Sequence, residues 1–419
     1  MGVTHTLPVV DSGDTAWVLV CGVLVLMMTA PGLVLFYGGM VRRKNALAIM
    51  MQSFIIVAAV SLVWMVAGYS LAFTNGTPWI GGLSGAFLGD LANGWDQPFV
   101  LGAGSPFAVP MAIPKSVFIF FQMTFAIITP AVITGSFADR MSFRGLLLLV
   151  VGWTILVYAP VAHWVWSPTG WLYRLGVADY AGGTVVEINA GIAGLICALY
   201  LGKRVGFGRD PMTPWNLSYV VIGASLLWVG WLGFNSGAAG GANGNAGMAV
   251  LVTQIAAAAA ALSWAGLEWI TSRKVTVLGP VSGAVTGMVA ITPAAGFVLP
   301  GAALAIGLLT GVACAIAVKV IKPRLGYDDS LDAFGVHGVG GIIGVLATGV
   351  FAYGPLSKGV VTGGLHQLSV QALAMTVTIL YCAAVTLLLL KLVDLTVGLR
   401  VTPSEEIEGL DPSLLGAAA

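Results

Sequence analysis

Two titratable residues stand in stretches that are otherwise apolar and small. Glu187 lies in DYAGGTVVEINAG, residues 179–191, and His337 lies in FGVHGVGGIIG, residues 334–344. A carboxyl and an imidazole in such surroundings can share or pass a proton, because neither is stable there as an isolated charge. Each follows an aspartate by eight residues, Asp179 in one case and Asp329 in the other. Plainer roles stand beside this one. His337 could be a satisfied core histidine, and Glu187 could brace a neighbouring helix. Asp179, just ahead of Ala-Gly-Gly-Thr, has the position of a helix N-cap facing the helix dipole, a role compatible with drawing in a cation indirectly.

A second group is aromatic. It comprises Trp166 in AHWVWSP, Phe121 and Phe125 in FFQMTF, and Trp231 and Phe234 in WLGFNSG. A tryptophan face attracts a compact cation, although a tryptophan near the end of a span is also an ordinary interface anchor. Trp231 precedes Phe234 by three residues and shares its helix face. Without further information all the phenylalanines would serve equally well as core packing. Metal chemistry is not expected. His163, His337 and His366 are well separated, and no CxxC or HxxxH occurs. His163 and His366 are expected to hydrogen-bond near the outer ends of their spans. Nor is there a GxxxxGK[ST] loop, so the chain is not expected to use a nucleotide; no cofactor is expected, and no covalent chemistry is implied that would make it an enzyme. Cys21, Cys197, Cys314 and Cys382 fall in apolar stretches and read as small fillers.

The elements that must position these residues follow from composition. The 419 residues are 58% hydrophobic and 8% charged, against about 25% charged in a soluble domain. Apolar stretches recur along the whole chain. Their lengths suit helices, which need about 20 residues to cross a bilayer, rather than barrel strands of about 10. The expected class is an all-α integral membrane protein. Eleven spans are read at 16–39, 46–73, 117–138, 145–165, 184–202, 217–238, 246–271, 276–294, 300–320, 334–353 and 367–397, the eighth and tenth being rich in glycine. No basic n-region of a cleaved signal peptide is expected at the start.

Fifteen of the eighteen Lys and Arg residues fall in one set of loops, while Lys115, Arg174 and Lys358 fall in the other. By the positive-inside rule the N-terminus is outside and the C-terminus cytoplasmic. A net charge of +1 indicates no nucleic-acid partner. Eleven spans divide as five, five and one. An odd unit repeated in tandem inverts its second copy, and the matching offsets of Glu187 and His337 are a faint trace of that. The expected organisation is a membrane domain over 1–399 and a cytoplasmic tail over 400–419. Within the domain, inverted repeats cover about 16–202 and 217–353, and a final long helix covers about 367–397.

With these residues in view the chain resembles the ammonium transporter family, the Amt/Mep branch of the Amt/Mep/Rh superfamily. The segments that carry the resemblance are PGLVLFYGGMVRRKN, DYAGGTVVEINAGIAGL, WVGWLGFNSGAAG, DDSLDAFGVHGVGGIIG and DLTVGLRVTPSEEIEGLD, spread from residue 31 to 411. The resemblance implies a homotrimer in the cell membrane, with a narrow hydrophobic path for ammonia through each subunit. It implies an outer vestibule that recruits ammonium or methylammonium at Trp166, with Phe121, Phe125 and the residue at position 238 around it. Phe125 and Phe234 match the two gating rings, and Trp231 packs along the path. Glu187 and His337 match the lumen pair, which is usually two histidines and is here the acidic variant.

Two departures bear on function. Position 238 is often a serine in such vestibules and is Ala238 here, so one acceptor for ammonium is missing and weaker external binding is expected. Glu187 in place of histidine makes the pair either neutral acid with neutral imidazole or carboxylate with imidazolium. The resemblance also implies a tail folded on a neighbouring subunit, with a PII-type signalling protein as candidate partner. Arginines facing Glu405, Glu406 or Glu408 would be the physical anchor. The alternatives are an ammonium sensor acting through a cytoplasmic partner and a Rh-like channel for neutral gas. Trp166 and the tail speak against the second.

Overall fold

The structure is a computed structural model that describes residues 8–357 and 359–416. Lys358, counted above on the sparsely basic side, lies outside the described residues, as do residues 1–7 and 417–419.

Ten helices among the described residues are long and apolar enough to cross a membrane. They are α1 Ser12–Met40, α2 Arg43–Phe73, α3 Lys115–Phe137, α4 Phe143–Arg174, α5 Gly183–Leu201, α6 Leu217–Gly237, α7 Gly244–Ser272, α9 Pro300–Leu325, α10 Phe334–Phe351 and α11 Leu365–Val397. The path of α4 is interrupted at 167–170. Between α7 and α9 lies α8, Leu278–Ile291, apolar but only 14 residues long. Ten of the eleven expected spans are thus long apolar helices, and the eighth, expected at 276–294, is the shorter helix α8. The expected span 276–294 contains Pro293, which cannot continue the helical hydrogen-bond ladder. The chain instead turns through 292–297 inside the protein. The N–H of Tyr180 donates to the Pro293 carbonyl (3.1 Å) and that of Ala181 to the Thr292 carbonyl (3.2 Å). Irregular backbone within a membrane protein is tolerated where other protein groups satisfy it in this way.

Outward-facing side chains such as Val23, Phe54, Leu262 and Leu388 are exposed, as suits contact with lipid. The loop between α2 and α3 carries a small antiparallel ribbon, β1 Pro98–Leu101 with β2 Val109–Pro114. At the centre α5 and α10 cross. The first turn of α5 packs on the body of α10, and the first turn of α10 packs on the body of α5. A Cβ at Gly191 would stand 2.3 Å from Gly338 Cα, so nothing larger than hydrogen fits at the crossing.

The two crossing helices begin alike. Asp179 caps α5 by accepting from the backbone N–H groups of Gly182 (2.9 Å), Gly183 (2.6 Å), Thr184 (2.8 Å) and Val185 (3.1 Å). Gly182 makes this wrap possible at φ +117°, a conformation that side chains resist. Asp329 caps α10 by accepting from Ala333 (3.2 Å) and Phe334 (2.8 Å). Each helix then opens with a widened turn bonded i to i+5, at Gly183–Ile188 and Phe334–Gly338. Such turns re-aim side chains and recur at functional sites. Glu187 stands in the first and His337 in the second.

The strongly basic end of the bundle is tied by buried ion pairs. Arg204 grips the Asp328 carboxylate with Nη2 (2.8 Å) and Nε (2.9 Å), and its own backbone N–H adds a third bond (2.8 Å). Arg140, fully buried, donates to the Asp328 carbonyl (2.5 Å) and to Ser330 Oγ (2.6 Å). Burial alone would raise the Asp328 pKa, but hydrogen bonds and charge from Arg204, with the charge of Arg140, hold it below the usual carboxylate range.

The tail forms two short helices, α12 Pro403–Glu408 and α13 Leu410–Leu415, and its described part makes contacts with its own chain. Glu406 accepts from the Val205 N–H (2.6 Å) and from Arg400 (2.8 Å), while Asp411 accepts from the N–H groups of Leu47 (3.1 Å) and Ala48 (2.7 Å). Asp411 thereby satisfies the otherwise unpaired donors at the start of α2. Of the three expected anchors only Glu406 meets an arginine. Glu405 instead closes a capping box with Thr402, and Glu408 has no ion pair among the described residues.

Candidate functional site

At the end of the bundle opposite the basic one, near the start of α3 and the ends of α4 and α6, lies a cavity of about 230 Å³ whose wall includes Phe121, Gln122, Phe125, Trp166, Tyr180 and Ala238. The Trp166 indole N–H donates to the Asp179 carbonyl (2.8 Å), which fixes the ring. Phe125 lies 5.8 Å from it at 84°, and Phe121 lies 4.8 Å from Phe125 at 65°. Asp179 was expected to help recruitment from its capping position. Its carboxylate is taken up by four backbone amides, and it does not line the cavity wall. Ala238 is in the wall and offers it no polar side-chain atom.

The cavity ends at an aromatic partition. The Phe125 and Phe234 rings stack 4.1 Å apart at 16°. Phe125 belongs to this cavity and Phe234 to a second space beyond it. That second space is only about 10 Å³ and is lined by Ile128, Val186, Glu187, Trp231, Phe234 and His337. It is on the scale of a single water. Another space of about 10 Å³ follows, lined by Phe36, Tyr37, Val336 and His337 among others. His337 thus borders both small spaces.

The expected pair meets here. His337 Nδ1 and Glu187 Oε2 are 2.7 Å apart, with Glu187 1% and His337 6% exposed. The two residues belong to different helices and approach only because α5 and α10 cross. Trp231 lies along the same line, 5.6 Å from the Phe234 ring and 6.5 Å from the His337 ring, nearly parallel to the latter at 18°. Its N–H donates to Thr292 Oγ1 (2.8 Å), in the turn that ends α8. Phe121, Phe125 and Trp166 thus line the cavity, while Phe234, Trp231, Glu187 and His337 line the small space beyond the two rings. His163 and His366 line neither space. His163 sets its ring nitrogens 2.9 Å from the Ala72 and Thr77 carbonyls. His366 is exposed, and its side chain makes no hydrogen bond among the described residues, contrary to expectation. Sequence reasoning missed Gln122 and Tyr180 as wall residues and Thr292 as the partner of Trp231. The available signal was a polar group beside Phe121 and beside Asp179.

The profile of the Ammonium Transporter Family matches residues 16–419. The chain belongs to the ammonium transporter family. It is similar to the ammonium transporter of Bacillus subtilis (strain 168), at 46% identity over 97% of this chain and 98% of that protein. It is also similar to one from Aquifex aeolicus (strain VF5), at 45% identity over 98% of this chain and 93% of that protein. Among solved structures it resembles Mep2 of Saccharomyces cerevisiae, with a TM-score of 0.83 and 34% identity over 94% of this chain and 88% of that one. A structure described as Sensor Amt Protein has a TM-score of 0.87 and 30% identity, over 97% of this chain and 98% of that one. As a member of the ammonium transporter family this chain is a multi-pass membrane protein of transporter type, not an enzyme.

Proposed function

We propose that this ammonium transporter recruits ammonium in the outer cavity, moves ammonia past the Phe125–Phe234 partition and passes the proton separately through Glu187 and His337. The observation that carries the reading is the 2.7 Å pair between those two side chains in a nearly dry space directly beyond two stacked rings. An apolar ring pair makes passage of a hydrated cation costly and that of a small neutral molecule much less so. Ammonium is therefore split at the rings, its proton passing to a separate acceptor. The nitrogen crosses as ammonia, and the proton is taken up by the coupled carboxyl–imidazole unit. Ammonia and proton recombine on the far side.

Around this path we read one membrane domain over 1–399 with inverted repeats at about 16–202 and 217–353. The like starts of α5 and α10 support that division. The N-terminus faces outward and the tail, 400–419, faces the cytoplasm of a cell-membrane homotrimer. A PII-type protein is the candidate partner at that face. The sensor alternative takes support from the likeness to the structure described as Sensor Amt Protein.

Purified protein in proteoliposomes, given ammonium on one side, tests the reading. A saturable inward current should accompany uptake. Flux of ammonia without current would favour the Rh-like reading, and binding with negligible flux would favour the sensor.

Two variants test the surrounding parts. Trp166→Leu removes a cation–π face worth about 0.5–2 kcal/mol, so half-saturation should rise roughly 2- to 30-fold. An unchanged concentration dependence would remove Trp166 from recruitment. Deleting residues after Leu399 should leave the trimer intact while altering transport, because the apolar contacts between subunits are expected to lie in the spans. Native mass measurement should then find trimer, whereas a clean shift to monomer would make the tail an assembly element.

A further inference from the structure

We infer that the stretch from Leu83 to Trp95, between α2 and α3, is seated in the bilayer at the non-basic end of the bundle, with Leu83 and Phe87 set among the lipid acyl chains. This surface lies apart from the transport path. From Trp79 to Trp95 the chain reads WIGGLSGAFLGDLANGW, in which Asp90 is the one charged residue. That charge is satisfied toward the protein. Asp90 pairs with Lys115, whose ammonium lies 5.8 Å from the centres of both the Tyr69 and the Phe99 rings.

The apolar side chains of the stretch divide between two sides. Leu88 and Leu91 pack on the core, whereas Leu83 and Phe87 are 67% and 68% exposed. Large apolar side chains standing open in so uncharged a stretch mark a contact surface. Phe87 and Leu88 take φ +56° and +54°, the left-handed region that residues with a Cβ avoid. Such strain persists only where the surroundings hold it. Here the kink goes with Phe87 outside and Leu88 inside.

The height of the stretch follows from its neighbours. Helix α3 has 23 residues, about 35 Å of rise against a hydrocarbon core of about 30 Å, so its first turn marks the membrane boundary. The stretch is tied to that turn. Lys115 holds Asp90, and Ser116 Oγ donates to the Trp95 carbonyl (3.2 Å). On its other side Ala86–Asn93 pack beside Trp64–Gly68 of α2, about two turns short of that helix's end at Phe73. Trp79 and Trp95, both exposed, flank the stretch as tryptophans do at a membrane–water interface.

The exposed face of α2 identifies lipid, rather than a second copy of the chain, as the occupant. Leu47, Met51, Phe54, Ala58, Leu62 and Val66 are exposed at helical spacing. This stripe is mostly of large side chains and holds no polar one, whereas contacts between membrane helices favour small or hydrogen-bonding residues. It reaches Val66, in the turn against which the stretch packs, and Leu83 and Phe87 extend it. The stretch then runs into the ribbon β1–β2, whose Leu101 and Met111 line the cavity, so lipid contact steadies one wall of that cavity.

The four native cysteines are buried, so a thiol label reports an introduced position. Phe87→Cys and Leu83→Cys, each labelled with bimane, are placed in phosphatidylcholine proteoliposomes with and without brominated acyl chains. Asp96→Cys, at an exposed position just past Trp95, is the aqueous reference. Emission at positions 83 and 87 should be blue-shifted and largely lost to the brominated lipid, and iodide in the buffer should quench it far less than at position 96. Iodide quenching equal to that of the reference, without quenching by brominated lipid, would place the stretch in water and overturn the inference. Protection from both quenchers would mean that protein covers it, and would overturn the inference equally. Should Phe87→Cys fail to fold, Leu83→Cys decides alone.

Discussion

Glu187→Gln should reduce ammonium-evoked current by about a hundredfold or more while the trimer folds at parental levels. The variant keeps the size and polarity of the side chain and removes only its ability to hold and release a proton. Loss of a positioned acid or base typically costs about 10²–10⁴ in rate. The introduced amide can still hydrogen-bond His337, so the crossing of α5 and α10 is left undisturbed and the lumen stays as wide as before. Glu187→His returns a second titratable group and should recover current with a shifted pH dependence. Current and labelled methylammonium uptake, followed together from about pH 5 to 8, separate the parts: charge movement should fall further than nitrogen flux. Full current in Glu187→Gln would leave the residue a brace between helices.

The second large effect is on stability. Asp328→Ala should destabilise the basic end of the bundle by about 3–5 kcal/mol, because Arg204 and Arg140 would then be buried without their shared acceptor. The thermal midpoint of detergent-solubilised protein measures it, and an unchanged midpoint would show the cluster to be adequately solvated. The pH dependence has a definite sign. The Asp328 pKa is depressed in the folded protein. Its contribution is therefore complete above the ordinary carboxylate value of about 3.9 and is lost as pH falls through the lower folded value. Asp328→Asn should remove that acid-dependent part and keep a polar side chain in place.

Much of the fold could be read from segment length, since long apolar runs admit few other structures. The cap by Asp179 was readable for a similar reason, because an aspartate followed shortly by glycine and threonine is a local signal. The shortness of α8 was not. Hydropathy over 276–294 records composition, while the break at Pro293 is made stable by donors from Tyr180 and Ala181 more than a hundred residues away. The Arg204–Asp328 grip was equally hidden, as each residue looked like an ordinary loop charge. At the site, the resemblance supplied the candidates, and folding placed Glu187 and His337 2.7 Å apart. The place of Gln122 and Tyr180 in the cavity wall was beyond sequence reading, because which side chains border a space depends on how distant elements meet.

The close contact of Gly191 with Gly338 has a mechanical consequence. Bilayers differ in thickness, and membrane helices answer by tilting or bending at a cost of fractions of a kcal/mol per ångström of mismatch. The lipid-facing helices of this protein can absorb such adjustments. At the central crossing the two backbones are already in contact, with no side chain between them to compress or slide. The separation of carboxyl and imidazole is therefore insulated from the lipid around the protein. Changes in membrane composition should alter how the outer helices stand without retuning the distance between carboxyl and imidazole.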